Sequence, residues 1–369
     1  MVTVRSPQLC SRCQSLPQKI EGAGNLYLWF PLPHSFAKTA RSLQQSSLSY
    51  QIKDEECLVV SLQDKQMEHL VSTLAKDLTH SERQQIKALF TAHPSPQLQD
   101  FPRTASLASF ISQSQSGWLL DMLAAERVTS QFQPIAYTAD LSQIFGQEAL
   151  LRGISQDGSL ISPSCFLPLA AEANILTQID LLARYSAIRQ AKQHQIQERI
   201  FINFMPTAIY DPAFCLRSTI EAIDDAGIAH EQVVFEVVES AYIEDFDHLK
   251  KILDVYREAG FSVALDDFGA GFSNLNLLHQ LRPELIKLDM NLIRNVHRDP
   301  YKALVTEKIL EIATHLNIST VAEGIESPEE LTWVRARGAT FVQGFLIAKP
   351  STLPVKKLPP TAAESLKAS

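Results

Sequence analysis

Cysteine is scarce in this sequence of 369 residues. The five cysteines are scattered along the chain, at Cys10, Cys13, Cys57, Cys165 and Cys215. A small, odd and unevenly spaced set favours reduced thiols over a disulfide framework. Cys10 and Cys13 are close in sequence, but no second pair of zinc ligands follows at a suitable spacing, so their role stays open.

Long apolar runs and an excess of basic residues are also missing. No run approaches the roughly 20 apolar residues of a membrane-spanning helix, and the N-terminal stretch MVTVRSPQLCSRCQSLP lacks the apolar core of a secretory signal. We therefore expect a cytoplasmic protein without membrane insertion. The 33 basic residues are outnumbered by 41 acidic ones, which gives a net charge of −8. This balance argues against a polynucleotide-binding protein, so a phosphate ligand would need metal ions or local basic groups.

Composition and periodicity divide the chain into five segments. They are an irregular arm (1–22), a small α+β domain (23–95), a linker with the start of a connecting helix (96–116), a larger α/β domain (117–355) and a tail (356–369). We expect the small domain to regulate the large one or to mediate its assembly. The sequence does not indicate which signal it senses or which protein partner it has.

Two patterns in the small domain predict opposite structures. The segment LYLWF (26–30) is typical of a strand, whereas SERQQIKALFTA (81–92) has helical spacing. We therefore predict a strand at the first position and a helix at the second.

The large domain alternates short apolar strands with amphipathic helices. The eight candidate strands are residues 130–137, 144–152, 199–205, 233–238, 261–267, 285–289, 319–324 and 340–345. Eight strands over roughly 225 residues predict a closed (β/α)8 barrel of the TIM type. Only TADLSQ separates the first two strands, which is too short for a helical crossover. We therefore predict an irregular α/β barrel with an antiparallel first strand pair.

Polar residues recur where the candidate strands end, at the face where such barrels have their active sites. They are Glu148, Asn203, Glu236, Asp266, Asp267, Lys287, Glu323, Glu326 and Gln343. Oxygen donors without histidine or cysteine select Mg²⁺ or Mn²⁺ over zinc. Several converging carboxylates favour two ions, an arrangement that serves displacement at phosphorus. Each residue alone has an ordinary explanation, as a solvated strand-end charge or an ion-pair partner.

The motifs form an ordered set: FQPI, EALLR, IN, E-x-x-E, DDFGAG, KLD, AEGIE and QGF, over roughly residues 117–350. This set resembles the EAL family of cyclic di-GMP phosphodiesterases. The resemblance implies an irregular barrel that uses Mg²⁺ or Mn²⁺ to hydrolyse cyclic di-GMP to linear pGpG. It also implies a homodimer formed through the barrel.

The same resemblance implies roles for individual positions. The metal ligands would be Glu148, Asn203, Glu236, Asp266 and Asp267. Glu323 would be the general base, Lys287 would orient the attacking water, and Glu239 would brace the loop at 269–273. The substrate contacts would be Gln133, Leu151, Arg152, Asp289, Glu326 and Gln343.

Three positions differ from the usual pattern of the family, namely Gly153, Met205 and Val238. None of them removes an implied ligand, and their effect on activity stays open. A second hypothesis is a receptor that binds cyclic di-GMP and signals to a partner without hydrolysing it. A third, a purely structural scaffold, gives no reason for acids at the barrel mouth.

Overall fold

The structure is a computed structural model that describes residues 15–209, 211–238, 246–270 and 275–358. Contacts divide the chain into two compact units. The smaller unit comprises Ser15–Arg127 and Ile161–Ile179, and the larger comprises Val128–Leu160 together with the described residues between 180 and 358. The domain boundaries given above remain predictions.

The smaller unit has a five-stranded sheet covered by helices. Its strands are β1 (Gly24–Trp29), β2 (Tyr50–Ile52), β3 (Cys57–Leu62), β4 (Lys87–Thr91) and β5 (Ala105–Ser106), in the order β2-β3-β1-β4-β5. Its helices are α1 (Pro33–Gln45), α2 (Gln66–Asp77), α3 (His80–Gln85), α4 (Leu107–Gln115), α5 (Gly117–Ala124) and α6 (Pro163–Glu172), with a 3-10 helix at Leu98–Arg103. Alternate residues of β1, Leu26 and Leu28, are fully buried in the core beneath the helices.

The helix that we predicted over residues 81–92 is wrong in its second half. Helix α3 ends at Gln85, and strand β4 follows. The apolar residues of IKALFT satisfy both periodicities, and antiparallel pairing with β1 decides between them, with Phe90 opposite Leu26 and Ala88 opposite Leu28. The segment that we predicted as a linker with the start of a helix contains the 3-10 helix, β5 and the whole of α4.

The larger unit is a closed barrel, and its strands confirm all eight predicted segments. They are β6 (Val128–Tyr137), β7 (Ile144–Ile154), β9 (Arg199–Phe204), β10 (Val233–Val238), β11 (Ser262–Phe268), β12 (Leu285–Leu288), β13 (Ser319–Ala322) and β14 (Phe341–Val342), with a short strand β8 (Leu160–Ile161) beside β7. The order is β6-β14-β13-β12-β11-β10-β9-β7, and pairing of β6 with β7 closes the barrel. Strand β6 is antiparallel to both of its neighbours, and the other pairs are parallel. The predicted antiparallel first pair is therefore confirmed.

Helices surround these strands. They are α7 (Leu176–His194), α8 (Pro212–Cys215), α9 (Arg217–Ala226), α10 (Phe246–Glu258), α11 (Leu275–Leu281), α12 (Met290–Ile293), α13 (Pro300–His315) and α14 (Pro328–Ala336), with 3-10 helices at Pro206–Ala208 and His230–Gln232. Their buried apolar faces and the outward faces of the strands form the main core. Within the described ranges, no helix combines the length and the hydropathy that crossing a bilayer requires.

An apolar layer fills the interior of the barrel. Its members come from seven strands and are Ile135, Phe201, Val234, Ala264, Leu285, Val321 and Phe341. Strand β7 contributes Gly146, where an added Cβ would lie 2.6 Å from the ring of Phe201. The missing side chain leaves room for that ring within the layer. This layer is the floor on which the polar residues lie.

We predict that Gly146→Ala destabilises the barrel by about 1–3 kcal/mol, because the new methyl group overpacks the layer against Phe201 and the carbonyl of Arg199. Urea unfolding measures the change. Gly117→Ala is the matched control, since an added Cβ there meets no atom within 4 Å. Equal stability of the two variants would contradict the packing role of Gly146.

Candidate active site

The polar residues lie one layer above the apolar floor. Side chains alternate along a strand, so the residue two positions beyond a floor residue points into the same interior. In the parallel strands, these positions hold Asn203, Glu236, Asp266, Lys287, Glu323 and Gln343. Strand β6 runs the other way, and its pairing places Gln133 opposite Glu148 of β7. Strand geometry therefore brings residues from eight strands to one level.

Lys287 is the centre of this layer. Its Nζ lies 2.7 Å from Glu323 Oε1, 2.8 Å from Glu236 Oε1, 3.2 Å from Asp266 Oδ1 and 3.3 Å from Glu148 Oε2. The lysine side chain is 1% exposed and that of Glu236 is fully buried. One ammonium group thus faces four carboxylates, which leaves up to three negative charges uncompensated in a largely buried site.

Two amide side chains fix the directions of these carboxylates. Asn203 Nδ2 donates to Glu236 Oε2 at 3.0 Å and to Glu148 Oε1 at 3.3 Å. Gln343 Nε2 donates to Glu148 Oε2 at 2.6 Å and to Gln133 Oε1 at 3.2 Å. Asn203 therefore turns its amide nitrogen, and not the oxygen expected of a metal ligand, toward its neighbours in this arrangement.

The adjacent acids of β11 both line the same cavity, although neighbouring strand residues normally point to opposite faces. Pairing with β12 is irregular between Leu265 and Phe268. Asp267 has a positive φ of 55°, and its amide donates to Asp266 Oδ1 at 3.0 Å. This left-handed turn brings carboxylate oxygens of Asp266, Asp267 and Glu323 within 4.8 Å of one another.

A cavity of about 300 Å³ opens above these acids. Of the residues predicted to contact substrate, Gln133, Asp289, Glu326 and Gln343 line it. Leu151 and Arg152 are not among its lining residues. Arg152 instead donates through Nε to Gln131 Oε1 at 2.8 Å and through Nη1 to the carbonyl of Leu151 at 2.7 Å.

The sequence reasoning missed several lining residues, namely Met290, Gly324, Gly344 and Phe345. Met290, Gly324 and Gly344 each directly follow a residue that we had singled out, and Phe345 follows Gly344, so proximity in sequence was the available signal. Gly324 has a positive φ of 66°, and an added Cβ would lie 2.5 Å from Met290 Cβ. Close approach of the two loops therefore requires glycine at this position.

Some predicted features lie outside the described residues. Glu239, Cys10, Cys13 and positions 271–273 of the predicted loop belong to this group, as does the side chain of Val238. Met205 is described, and its amide donates to Asp180 Oδ1 at 2.8 Å. Gly153 is buried in β7.

A family model for the EAL domain matches residues 116–350, well over half of the chain. The chain belongs to the EAL domain family. Its motifs, its irregular barrel and its acidic barrel mouth are thus features of one EAL domain.

Comparison with individual proteins agrees with this membership. The probable cyclic di-GMP phosphodiesterase PdeG of Escherichia coli is 32% identical over 225 residues, covering 60% of this chain and 44% of PdeG. The E. coli blue light- and temperature-regulated antirepressor BluF is 32% identical over 171 residues, covering 46% of this chain and 42% of BluF. The chain spans only about 30 to 45% of the length of curated relatives such as these.

A solved structure agrees with the barrel. It is a standalone EAL protein from Vibrio cholerae O395 in a form bound to cyclic di-GMP. The TM-score is 0.57 at 35% sequence identity, over 64% of this chain and 97% of that chain.

Burial and mutual repulsion shift the pKa values of the acids in this EAL domain. Burial, followed by the neighbouring acids Asp266 and Glu148, raises the pKa of Glu323 to about 8 against the opposing effect of Lys287. Burial together with Asp266 and Asp289 raises the pKa of Asp267 to about 6. Burial raises the pKa of Glu236 well above its ordinary value.

The pKa values of Glu148 and Lys287 shift in the directions that keep both side chains charged. Burial opposes ionisation of Glu148, but Lys287, Gln343 and Asn203 outweigh it and lower the pKa of Glu148. Burial likewise opposes the charge of Lys287, but Asp266, Glu148 and Glu236 raise its pKa well above the ordinary value. The site is therefore built around one fixed ammonium group and acids that need further positive charge to ionise together.

The residues present fit a divalent cation. The donors are carboxylate and amide oxygens, the charge is unbalanced toward the negative, and three of the acids already place oxygens close together. EAL domains are generally metal-dependent, and hard cations such as Mg²⁺ and Mn²⁺ prefer such oxygen ligands.

We predict that, with divalent ions chelated, the free energy of unfolding falls as pH rises from about 4 to 8. Asp267 and Glu323 have raised pKa values in the folded state, about 6 and about 8, so their ionisation is less favourable there than in the unfolded chain. The two acids cause no loss of stability at a pH below their ordinary pKa values, and the loss is complete at a pH above their raised pKa values. Urea unfolding in EDTA across this range measures it.

The double variant Asp267→Asn, Glu323→Gln is the control for this prediction. Neither amide ionises, so the stability of this variant should vary less with pH. A pH dependence equal to that of the unaltered chain would contradict the assignment to these two acids.

Proposed function

We propose that this protein hydrolyses cyclic di-GMP to linear pGpG in a reaction that depends on Mg²⁺ or Mn²⁺. The main support is the buried lysine with four carboxylates around it, at the base of a cavity in an EAL barrel. The names of PdeG and of the Vibrio cholerae structure point to the same nucleotide.

The acids of the barrel mouth would hold two ions. Glu148, Asn203, Glu236 and Asp266 would bind one, and Asp266 with Asp267 the other, which requires the amide of Asn203 to present its oxygen. When bound, such ions activate a water molecule and neutralise charge on the phosphodiester. They would also lower the pKa of the surrounding acids and so allow them to ionise together.

Glu323 and Lys287 would carry the proton and charge steps. Glu323 is the acid nearest to the lysine, at 2.7 Å, and it lines the cavity. Its carboxylate would accept a proton from the attacking water. Lys287 would orient that water and stabilise negative charge as the phosphodiester bond breaks.

The cavity offers groups that suit a guanine nucleotide. Asp289 and Glu326 supply carboxylate acceptors for N–H groups, and Gln133 and Gln343 supply amides. Glu326 is paired with Arg294. Contacts of Leu151 and Arg152 with the substrate stay predictions, as do the bracing role of Glu239, homodimerisation through the barrel and regulation by the smaller unit.

A second candidate is a receptor that binds cyclic di-GMP and signals without hydrolysis. The observation in its favour is the similarity to BluF, whose name describes an antirepressor. Saturable binding of the nucleotide, with no pGpG formed over hours in Mg²⁺ or Mn²⁺, would support this function over the first.

We predict that the full chain converts cyclic di-GMP to pGpG with Mn²⁺ or Mg²⁺ and that hydrolysis stops when EDTA removes the ion. Glu323→Gln should lower kcat by about 10²- to 10⁴-fold, because it removes the proton acceptor, while leaving nucleotide binding largely intact. Product formation followed by chromatography measures kcat.

Glu329→Gln is the matched control, because Glu329 is an exposed acid of helix α14. Its kcat should equal that of the unaltered chain. Full turnover by Glu323→Gln would contradict the role of Glu323 as base, and a chain without turnover under any ion condition would contradict the proposed function.

A further inference from the structure

The chain continues past the last barrel strand as a segment that returns to the first. We name residues Ser351–Leu358 the C-terminal strap. The region matched by the EAL family model ends at residue 350, so the strap lies just beyond it. Leu358, at its end, is 7% exposed and belongs to the main core of the barrel. The strap is therefore anchored at its end.

The strap covers an open edge of β6. Strand β14 pairs with β6 only at Ala136 and Tyr137. Further along this edge, Phe132 pairs with Ser351, and the two backbone hydrogen bonds measure 2.7 and 2.9 Å. Between them, strand alternation turns Pro134 to the same edge, where it has no N–H to donate. The strap thus completes the edge at the residue that precedes Gln133.

Strand β7 contacts the strap through a buried side chain. Gln147 is fully buried, and its Nε2 donates to the carbonyl of Val355 at 2.7 Å. It precedes Glu148 and points to the opposite face of the strand. The N–H group of an amide without solvent access needs an acceptor, and the carbonyl of Val355 in the strap supplies it. The contact therefore holds the backbone at the position from which Glu148 enters the site.

Hydrogen bonds continue from this part of the chain into the site. Gln133 Nε2 donates to the carbonyl of Ala348 at 3.1 Å. Its Oε1 accepts from Gln343 Nε2, which also donates to Glu148 Oε2. The segment that leads into the strap thereby fixes the amide orientation of Gln133, and through Gln343 it fixes one oxygen of Glu148.

We propose that the C-terminal strap is a positioning element that sets the affinity of the barrel for divalent cations. It holds the antiparallel pair β6 and β7 in register, so that Glu148 presents its carboxylate to the ion. Gln147 of β7, which binds the strap, is the main positioning residue, because it would affect the ion only through its neighbour Glu148. This inference rests on the ion site of the proposed function but not on hydrolysis.

The test measures the dissociation constant of Mn²⁺ for the full chain without nucleotide, by electron paramagnetic resonance of free Mn²⁺. Gln147→Met keeps the side-chain length and removes the hydrogen bond to Val355. We expect a loss of affinity of about tenfold, the lower end of what changes behind metal ligands produce. Gln143→Met is the matched control, because this exposed glutamine lies just before the same strand, and its affinity should be unchanged.

Ser351→Pro is the second variant, since it removes the N–H that donates to Phe132. Thermal melting identifies which variants fold, and a folded variant with weaker Mn²⁺ binding than the control supports the proposal. Unchanged affinity in a folded Gln147→Met overturns it. Loss of folding in both variants also overturns it, because the strap would then be a requirement of the fold and not of ion binding.

Cyclic di-GMP hydrolysis by the unaltered chain is measured in parallel and separates the two proposals. If the unaltered chain hydrolyses cyclic di-GMP and Gln147→Met binds Mn²⁺ as tightly as that chain, only the proposed role of the strap is contradicted. If the unaltered chain shows no turnover but binds Mn²⁺, and the variants bind Mn²⁺ more weakly, only the proposed function is contradicted. Absence of Mn²⁺ binding contradicts both.

Discussion

The contact of Lys287 with four carboxylates is the constraint on which the rest of the barrel mouth depends. Removing five ionisable groups from water is costly, and one ammonium cannot offset the repulsion among four acids. Because each acid places an oxygen within 3.3 Å of the same ammonium nitrogen, the four carboxylates are also close to one another. Some acids must therefore hold protons until further positive charge arrives. The raised pKa values of Glu236 and Glu323 are the consequence of this arrangement.

The strand pattern explains why such a cluster can exist without disrupting the core. Residues two positions apart on a strand both point into the interior, where the first of each pair is apolar and the second is polar. The acids therefore lie above an apolar layer that is already packed. Large rings such as Phe201 fill the floor, and Gly146 yields the space they need. The polar layer can therefore be arranged for chemistry, while the layer below supplies the burial that stabilises the fold.

Much of this could be predicted from the sequence, and the reasons are physical. Barrel strands are short apolar runs separated by helices, so all eight strands and the antiparallel link were found, along with the acids at their ends. The strand at Lys87–Thr91 was missed because its residues satisfy both periodicities, and only its partner β1 decides. The direction of the Asn203 amide depends on Glu148 and Glu236, which are far from it in sequence. The turn at Asp267 accompanies irregular pairing with β12, and Arg152 contacts Gln131 across the pair β6 and β7. No local pattern encodes them. The contacts of Ser351 and Val355 are of the same kind.

The turn at Asp267 shows how the site balances strain against function. A positive φ at a residue other than glycine costs roughly 1–3 kcal/mol, and placing the Asp267 carboxylate beside those of Asp266 and Asp289 adds repulsion. A regular strand would avoid both costs by pointing Asp267 away from the cavity. The hydrogen bond from its amide to Asp266 offsets only part of them. Lys287, 3.2 Å from Asp266, offsets a further part. Because additional positive charge between these acids would offset the remainder, the turn is best understood as an arrangement that a bound cation would stabilise.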